Sequence, residues 1–189
     1  MRSISPATVS LAAALLLGGA APATAQRAAR FTLTSPDIKP GAMIGARHAG
    51  STMGCTGQSV SPTLQWSGAP AGTKSFAVTV YDPDAPTGSG FWHWVVFNIP
   101  ATATTLPAGA GKSAALPSGA VQGNTDLSTP GYFGPCPPPG ETHRYVFTVY
   151  ALDVEKIDGV DEGVTGASLV FNMRGHVLAQ GRITGRYGR

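Results

Sequence analysis

Two aspartates and two histidines lie next to, or inside, the most apolar segments of the sequence. Asp82 and Asp84 follow one such segment, and His93 lies within a second, between two tryptophans. His143 opens a third, two residues before Tyr145. Carboxylates and imidazoles bind ions and transfer protons near neutral pH. If the three segments are neighbouring strands, these side chains could form a polar pocket with apolar walls.

Each of these residues also has an ordinary structural interpretation. Aspartates next to proline commonly cap turns, which would account for Asp82 and Asp84. A histidine on an aromatic strand, such as His93, is commonly a core residue with a hydrogen-bond partner. His143 can be a surface residue, and Arg144 can form a salt bridge with Asp84. Only the joint pattern favours a functional site over these structural roles.

Strands separated by turns are expected to position these side chains. Alternating, β-branched or aromatic segments bounded by proline and glycine are typical of strands. They occur at residues 31–34, 64–66, 75–81, 91–99, 144–152 and 182–187, with a further short strand near 43–47. The pattern predicts one helix at 168–179, with Thr165 or Ser168 as its cap and Gly181 after its end. Residues 101–142 have no sustained periodicity, and a loop of that length is either functional or conceals a missed element.

Length and composition are typical of one mainly β domain. The chain has 189 residues, of which 12% are charged, and it contains 25 glycines and 16 prolines. The charged fraction is about half of the usual value of roughly 25%. Scarce Glu, Lys and Arg exclude a coiled coil, and the 42% of hydrophobic residues exclude a charged disordered tail. The expected architecture is a β-sandwich with one or two peripheral helices.

The N-terminal segment has the pattern of a secretory signal peptide. Arg2 precedes an apolar run at 9–21, and an A-x-A cleavage pattern ends at Ala25. The run is shorter than the about 20 residues that span a bilayer, and no later segment is long and apolar enough. A buried N-terminal helix is the alternative. We expect residues 1–25 to be removed, residues 26–189 to form the domain, and the protein to be periplasmic or secreted.

The sequence contains two cysteines, Cys55 and Cys136. Export would place them in an oxidising compartment, where an even number of cysteines favours a disulfide. Their spacing alone does not show that they are close, so two separate thiols are the alternative. The net charge is +3, and the scattered basic residues include no cluster with interleaved aromatics that would indicate nucleic acid binding.

Four ordered segments resemble the phosphatidylethanolamine-binding protein family, and in particular its bacterial, Raf-kinase-inhibitor-like branch. These segments are TVYDPDAP (79–86), FWHWVVFNIP (91–100), GYFGPCPPPG (131–140) and HRYVFTVYAL (143–152). The segment GCTGQSVSPTLQWSGAP (54–70) and the end of the chain, 175–189, are also similar to that branch. The resemblance covers nearly all of the chain that follows the signal peptide.

The resemblance implies an antiparallel β-sandwich with a small anion pocket at one end. In that family the pocket binds phosphate-like groups, including phospholipid headgroups and phosphorylated residues, or small carboxylates. The corresponding residues here are Asp82, Asp84, Pro86, His93, Gly134, Pro137, Pro138, His143 and Tyr145. Asp82, His93 and His143 would be the main polar contacts, because an adjacent aspartate raises the pKa of a histidine and favours its cationic form. A bridge between Cys55 and Cys136 would staple the rim of this pocket.

The expected function is that of an exported, non-catalytic binding protein for a small anionic or phosphorylated ligand, without a cofactor or a resident metal. The alternative is a protein-interaction module that inhibits a protease or kinase, as some family members do, with an envelope or secreted protein as its partner. Export, and a C-terminus without the final helix of animal members, argue against a kinase-regulating role. A hydrolase that uses Asp82, His93 and His143 is a weaker hypothesis, because the sequence lacks H-E-x-x-H and G-x-S-x-G.

Overall fold

The computed structural model describes residue 1, residues 30–112 and residues 115–189. The expected signal peptide therefore lies outside the described residues, apart from residue 1. The strands in chain order are β1 (Thr32–Thr34), β2 (Leu64–Ser67), β3 (Ser75–Asp82), β4 (Phe91–Pro100), β5 (Thr105–Leu106), β6 (Val121–Gln122), β7 (Thr142–Leu152) and β8 (Val177–Gly188). A short 3₁₀ helix spans Ala46–His48, and an α-helix, α1, spans Gly166–Asn172.

The strands form two antiparallel sheets. One sheet has three strands in the order β1-β2-β5, and the other has five in the order β6-β4-β3-β7-β8. In the larger sheet β3 lies between β4 and β7 and is antiparallel to both. The end of β3 therefore lies beside the beginnings of β4 and β7. The expected mainly β, antiparallel fold with a peripheral helix is confirmed.

The apolar core lies between the two sheets. The alternating residues Phe76, Val78 and Val80 of β3 belong to one buried cluster with Leu64 and Trp66 of β2. The rings of Trp66 and Phe76 meet edge to face with their centroids 5.3 Å apart. Burial of these side chains contributes about 25 cal/mol for each Å² of apolar surface removed from water. The core fixes the register of the larger sheet, because a slip of one residue would expose one complete face.

The opposite face of the larger sheet is partly covered by α1. Leu169 and Met173 of the helical region pack with Val95 and Phe97 of β4 in a second buried cluster. The helix begins after Thr165, whose hydroxyl accepts a hydrogen bond from the Ser168 backbone amide at 3.3 Å. Thr165 is thus the cap among the two candidates from the sequence.

The predicted helix at 168–179 is wrong in its second half. The helix ends at Asn172, Gly175 adopts a positive φ of 88°, and β8 has begun by Val177. Residues 177–179 pair with the end of β7 instead of continuing the helix. Glycine tolerates this left-handed conformation without a steric penalty, and it reverses the chain from helix to strand.

The sequence also missed short elements in the loops. The strand expected near 43–47 is a single bridge between Met43 and Arg186, followed by the 3₁₀ helix. The loop expected at 101–142 contains the two-residue strands β5 and β6. Strands this short have too few residues to show a periodic pattern. Among the described residues, no helix has both the length and the apolar character to cross a membrane.

Candidate functional site

A cavity of about 270 Å³ opens at the end of the larger sheet where β3 finishes and β4 and β7 begin. Its lining residues come from these strand ends and from three loops. They are Met53, Asp82, Ala85, Pro86, Thr87, Phe91, His93, Phe133, Cys136, Pro137, Pro138, His143 and Arg189. The antiparallel register brings Asp82, His93 and His143 together although 61 residues separate the first from the last. We call these three residues the floor of the cavity.

Asp82 links the two histidines of the floor. Its Oδ2 accepts a hydrogen bond from His143 Nδ1 at 2.7 Å and lies 4.0 Å from His93 Nε2. Its Oδ1 accepts a hydrogen bond from the backbone amide of Asp84 at 2.8 Å. The exposed fractions of Asp82, His93 and His143 are 2%, 4% and 3%, so these interactions are shielded from bulk water. The turn-capping role considered for Asp82 and its role in the floor therefore coexist.

His93 is a neutral imidazole in this setting. Its Nδ1 lies 2.8 Å from the carbonyl oxygen of Phe133, and because a carbonyl only accepts, Nδ1 carries the proton. Burial lowers its pKa to about 4, against the smaller raising effects of that hydrogen bond and of Asp82. Its ring stacks on Phe133 at 5.6 Å and meets Tyr145 edge-on at 5.1 Å. The expectation that an adjacent aspartate favours the cationic form does not hold for His93, since desolvation dominates.

His143 is the cationic member of the pair. Its Nδ1 donates to Asp82, and its Nε2 lies 2.9 Å from Oε2 of Glu141. Both acceptors are carboxylates, so both ring nitrogens donate and the ring is an imidazolium. Burial on its own would lower the pKa of His143, but the hydrogen bonds to Glu141 and Asp82 outweigh it and the pKa is raised.

The rim of the cavity consists of the loop 53–55, the loop 136–138 and the last residue, Arg189. A disulfide joins Cys55 to Cys136 across a separation of 81 residues. The Arg189 guanidinium donates to the carbonyls of Pro137 at 2.7 Å and Gly54 at 2.8 Å. The two loops are therefore held together by a covalent bond and by an arginine that brings positive charge to the cavity.

Three residues singled out by the sequence do not line the cavity. Asp84 forms a salt bridge with Arg144 at 2.6 Å, and the hydrogen bond from that arginine lowers the pKa of Asp84 to about 2. Gly134 lies behind the rim, where any side chain would collide with the backbone of neighbouring residues. Tyr145 is buried behind His93, and burial, followed by the charge of Asp82, raises its pKa.

Several lining residues escaped the sequence analysis. They are Met53, Ala85, Thr87, Phe91, Phe133 and Arg189, together with Glu141, which contacts His143. Phe91 and Phe133 lie within segments that carried the family resemblance, so a closer reading of those segments could have found them. No local pattern marks Arg189, which lies 52 residues from Pro137 along the chain.

The floor, the rim and Glu141 together could bind an ion of either sign, because they hold two carboxylates, Asp82 and Glu141, and two cations, His143 and Arg189. Among the described residues, no group of three His, Cys, Asp or Glu side chains is arranged to hold a metal ion. Cys136, which lines the cavity, is bonded to Cys55 and so is not available as a thiolate nucleophile.

Comparisons with known proteins give one consistent family. The family model described as phosphatidylethanolamine-binding protein matches residues 34–188. The UPF0098 protein YbhB of Escherichia coli is 53% identical over 156 residues, which cover 82% of this chain and 98% of YbhB. The crystal structure of E. coli YbcL, described as a new member of the mammalian PEBP family, is 51% identical. It has a TM-score of 0.82 and covers 85% of this chain and 99% of YbcL.

More distant structures share the fold. A phosphatidylethanolamine-binding protein homologue from Chlamydia trachomatis is 34% identical, with a TM-score of 0.72 and coverage of 85% of this chain and 98% of its own. The phosphatidylethanolamine-binding protein from Plasmodium vivax is 15% identical, with a TM-score of 0.55 and coverage of 84% and 85%. At that identity the likeness concerns the fold alone.

Proposed function

The chain belongs to the phosphatidylethanolamine-binding protein family, and on that premise we propose that it is a non-catalytic binding protein whose cavity takes a small anion. The ligand class is a phosphate-like group, such as a phospholipid headgroup or a phosphorylated molecule. The name of the family supports this class, and so do the two cations of the cavity, His143 and Arg189. We further propose that residues 1–25 are removed on export and that the protein is periplasmic or secreted.

One observation carries the proposal: the protein's own carboxylate, Glu141, already binds the imidazolium of His143. The 2.9 Å distance from Glu141 Oε2 to His143 Nε2 is that of a charge-assisted hydrogen bond. An oxyanion is therefore a chemically compatible partner for this nitrogen. Arg189 adds a second positive charge to the cavity wall. A phosphate group has several terminal oxygens and could use both cations.

The apolar walls strengthen this attraction. Pro86, Pro137 and Pro138 line the cavity beside the rings of Phe91 and Phe133. Proline has no backbone N–H, so these walls offer few donors that would compete with the floor. Such walls exclude water, and ion pairs are stronger where the effective dielectric constant is low. Binding would therefore depend on a few charged groups in fixed positions.

The disulfide supports the proposed export. Disulfides persist in oxidising compartments such as the periplasm and the extracellular space, and they are rare in the cytosol. Cys55 and Cys136 form one across the rim.

Calorimetric titration with inorganic phosphate and with phosphorylethanolamine tests the proposed function. We expect saturable binding to the wild-type protein and about tenfold weaker binding to a His143→Gln variant, which loses the charged donor. His176→Gln is the matched control, because His176 is a surface histidine that pairs with Asp153. Absence of binding to the wild type, or equal binding to the His143→Gln variant, would refute the proposal.

A further inference from the structure

Glu141 occupies the one ring nitrogen of His143 that Asp82 leaves available. Asp82 takes Nδ1 at 2.7 Å, and Glu141 takes Nε2 at 2.9 Å. His143 lines the cavity, so an anion that enters and binds this imidazolium must take the place of the Glu141 carboxylate. The two carboxylates differ in burial: the side chain of Asp82 is 3% exposed, whereas that of Glu141 is 51% exposed.

The backbone around Glu141 is held, so only its side chain has to move. The Glu141 amide donates to the Pro138 carbonyl at 3.1 Å, and the Gly140 amide donates to the Arg189 carbonyl at 2.6 Å. Exposed side chains change rotamer within picoseconds to nanoseconds. The carboxylate can therefore leave His143 without any rearrangement of the rim.

The local charge changes when Glu141 moves. With Glu141 in contact, the two cations His143 and Arg189 balance the two carboxylates Asp82 and Glu141, so the four groups are net neutral. Without Glu141, the remaining three groups are net positive. An anion is therefore attracted more strongly in the second arrangement than in the first.

We propose that Glu141 is a built-in competitor for the anion on His143 and that the cost of its displacement lowers the affinity of the cavity for anions. This inference rests on the proposed function. The cost of displacing Glu141 is the same for every anion that takes its place, so it lowers all affinities alike. A small carboxylate only exchanges one carboxylate for another at His143 and gains little. A phosphate group has more oxygens for the second cation of the cavity, Arg189, and so binds more tightly than a small carboxylate.

The test compares Glu141→Gln with Glu155→Gln, the same change at an exposed glutamate outside the cavity lining. Titrations with inorganic phosphate and with acetate are made at about pH 6, below the ordinary pKa of histidine, and Asp82 remains an acceptor for His143 in every variant. We expect phosphate to bind the Glu141→Gln variant about tenfold more tightly than the wild type. Acetate binding becomes measurable in that variant, and Glu155→Gln behaves as the wild type does.

Two further measurements make the result decisive. A Glu141→Ala variant should show the same gain, which attributes it to the lost carboxylate and not to the new amide. The NMR titration of His143 should show a lower pKa in both Glu141 variants, because a stabilising acceptor has been removed. Wild-type phosphate binding with equal or weaker binding in both variants would overturn the inference and leave the proposed function standing. No phosphate binding by any of the proteins would overturn both.

Discussion

At the floor of the cavity Asp82, His93 and His143 are almost completely buried, whereas at the rim Arg189 lies at the surface. The floor is held by the hydrogen bond from His143 to Asp82 on the neighbouring strand and by the one from His93 to the backbone carbonyl of Phe133. The rim is held by the Cys55–Cys136 disulfide and by hydrogen bonds from an arginine to backbone carbonyls. The floor should therefore respond to pH, and the rim to reduction of the disulfide.

The floor and the rim also have different roles in binding. The floor decides which charge the ligand meets, because one histidine is cationic and the other neutral around a shared carboxylate. The disulfide and Arg189 determine how firmly the two loops of the rim are held together. A substitution at the rim should leave the pH response of the floor unchanged. A substitution at the floor should leave the response of the rim to reduction unchanged.

The largest expected effect is on stability and comes from the rim. Replacing both Cys55 and Cys136 by serine should lower the free energy of unfolding by about 4 kcal/mol, because the bridge closes a long loop in the unfolded chain. The melting temperature should fall by roughly 10 °C, as measured by calorimetry. The pKa of His143, measured by NMR, should stay raised. The double variant should be insensitive to a reductant that lowers the melting temperature of the wild type.

Asp82→Asn is the corresponding change at the floor. It leaves the buried His143 imidazolium without its inner carboxylate, and breaking a buried ion pair costs about 3 kcal/mol. Urea denaturation should show that loss, and the NMR titration should show a lowered pKa for His143. Asp158→Asn, at an exposed position, is the control and should change neither quantity. An Asp82→Asn protein with wild-type stability and an unchanged His143 titration would contradict the account of the floor.

The two histidines should give opposite dependences of stability on pH. The pKa of His93 is lowered to about 4 in the folded protein, from 6.5. Its contribution, of roughly 2–3 kcal/mol, is present above about pH 6.5 and is lost as the pH falls toward 4. The pKa of His143 is raised, so its contribution is present below about pH 6.5 and is lost as the pH rises through the folded value. Urea denaturation from about pH 4 to 9 measures both.

Single variants show which histidine causes each of the two dependences of stability on pH. His93→Gln should remove the decline of stability on the acid side, and His143→Gln should remove the decline on the alkaline side. If both variants keep the wild-type profile, the two residues do not have the opposite charge states described above.

The smallest expected effect comes from Arg189→Gln at the rim. The variant loses the charge and the paired hydrogen bonds to Gly54 and Pro137, and we expect phosphate affinity to fall about threefold to tenfold. Arg182→Gln, at an exposed position in the middle of β8 and outside the cavity lining, is the control and should bind as the wild type does. Equal phosphate affinities of the two variants would show that Arg189 does not contribute to binding.

The strand ends at the floor could be predicted from the sequence. Asp82 follows an apolar segment and His143 precedes another, and antiparallel pairing places such positions side by side. The end of the helix could not be predicted, because the apolar residues Val177 and Leu178 fit either a helix or a strand. These residues form a strand because they pair with β7, and the turn at Gly175 brings the chain into position for that pairing.

Arg189 at the rim and the competitor Glu141 could not be predicted from the sequence, although the Cys55–Cys136 bridge across the rim could. Arg189 reaches the carbonyl of Gly54 across 135 residues of chain, and no local spacing encodes such a contact. Glu141 was one of several glutamates in the sequence, and only the fold shows that its carboxylate meets a buried imidazole. The charge states of His93 and His143 likewise depend on burial and partners, which residue types alone do not specify.

An NMR titration of the histidine rings, with and without inorganic phosphate, tests the central claim most directly. We predict that His143 titrates above its ordinary value and His93 at about 4. Phosphate should shift the ring signals of His143 and leave those of His176, on the surface, unchanged. Two floor histidines that both titrate at the ordinary value of 6.5, with no response of His143 to phosphate, would contradict the account.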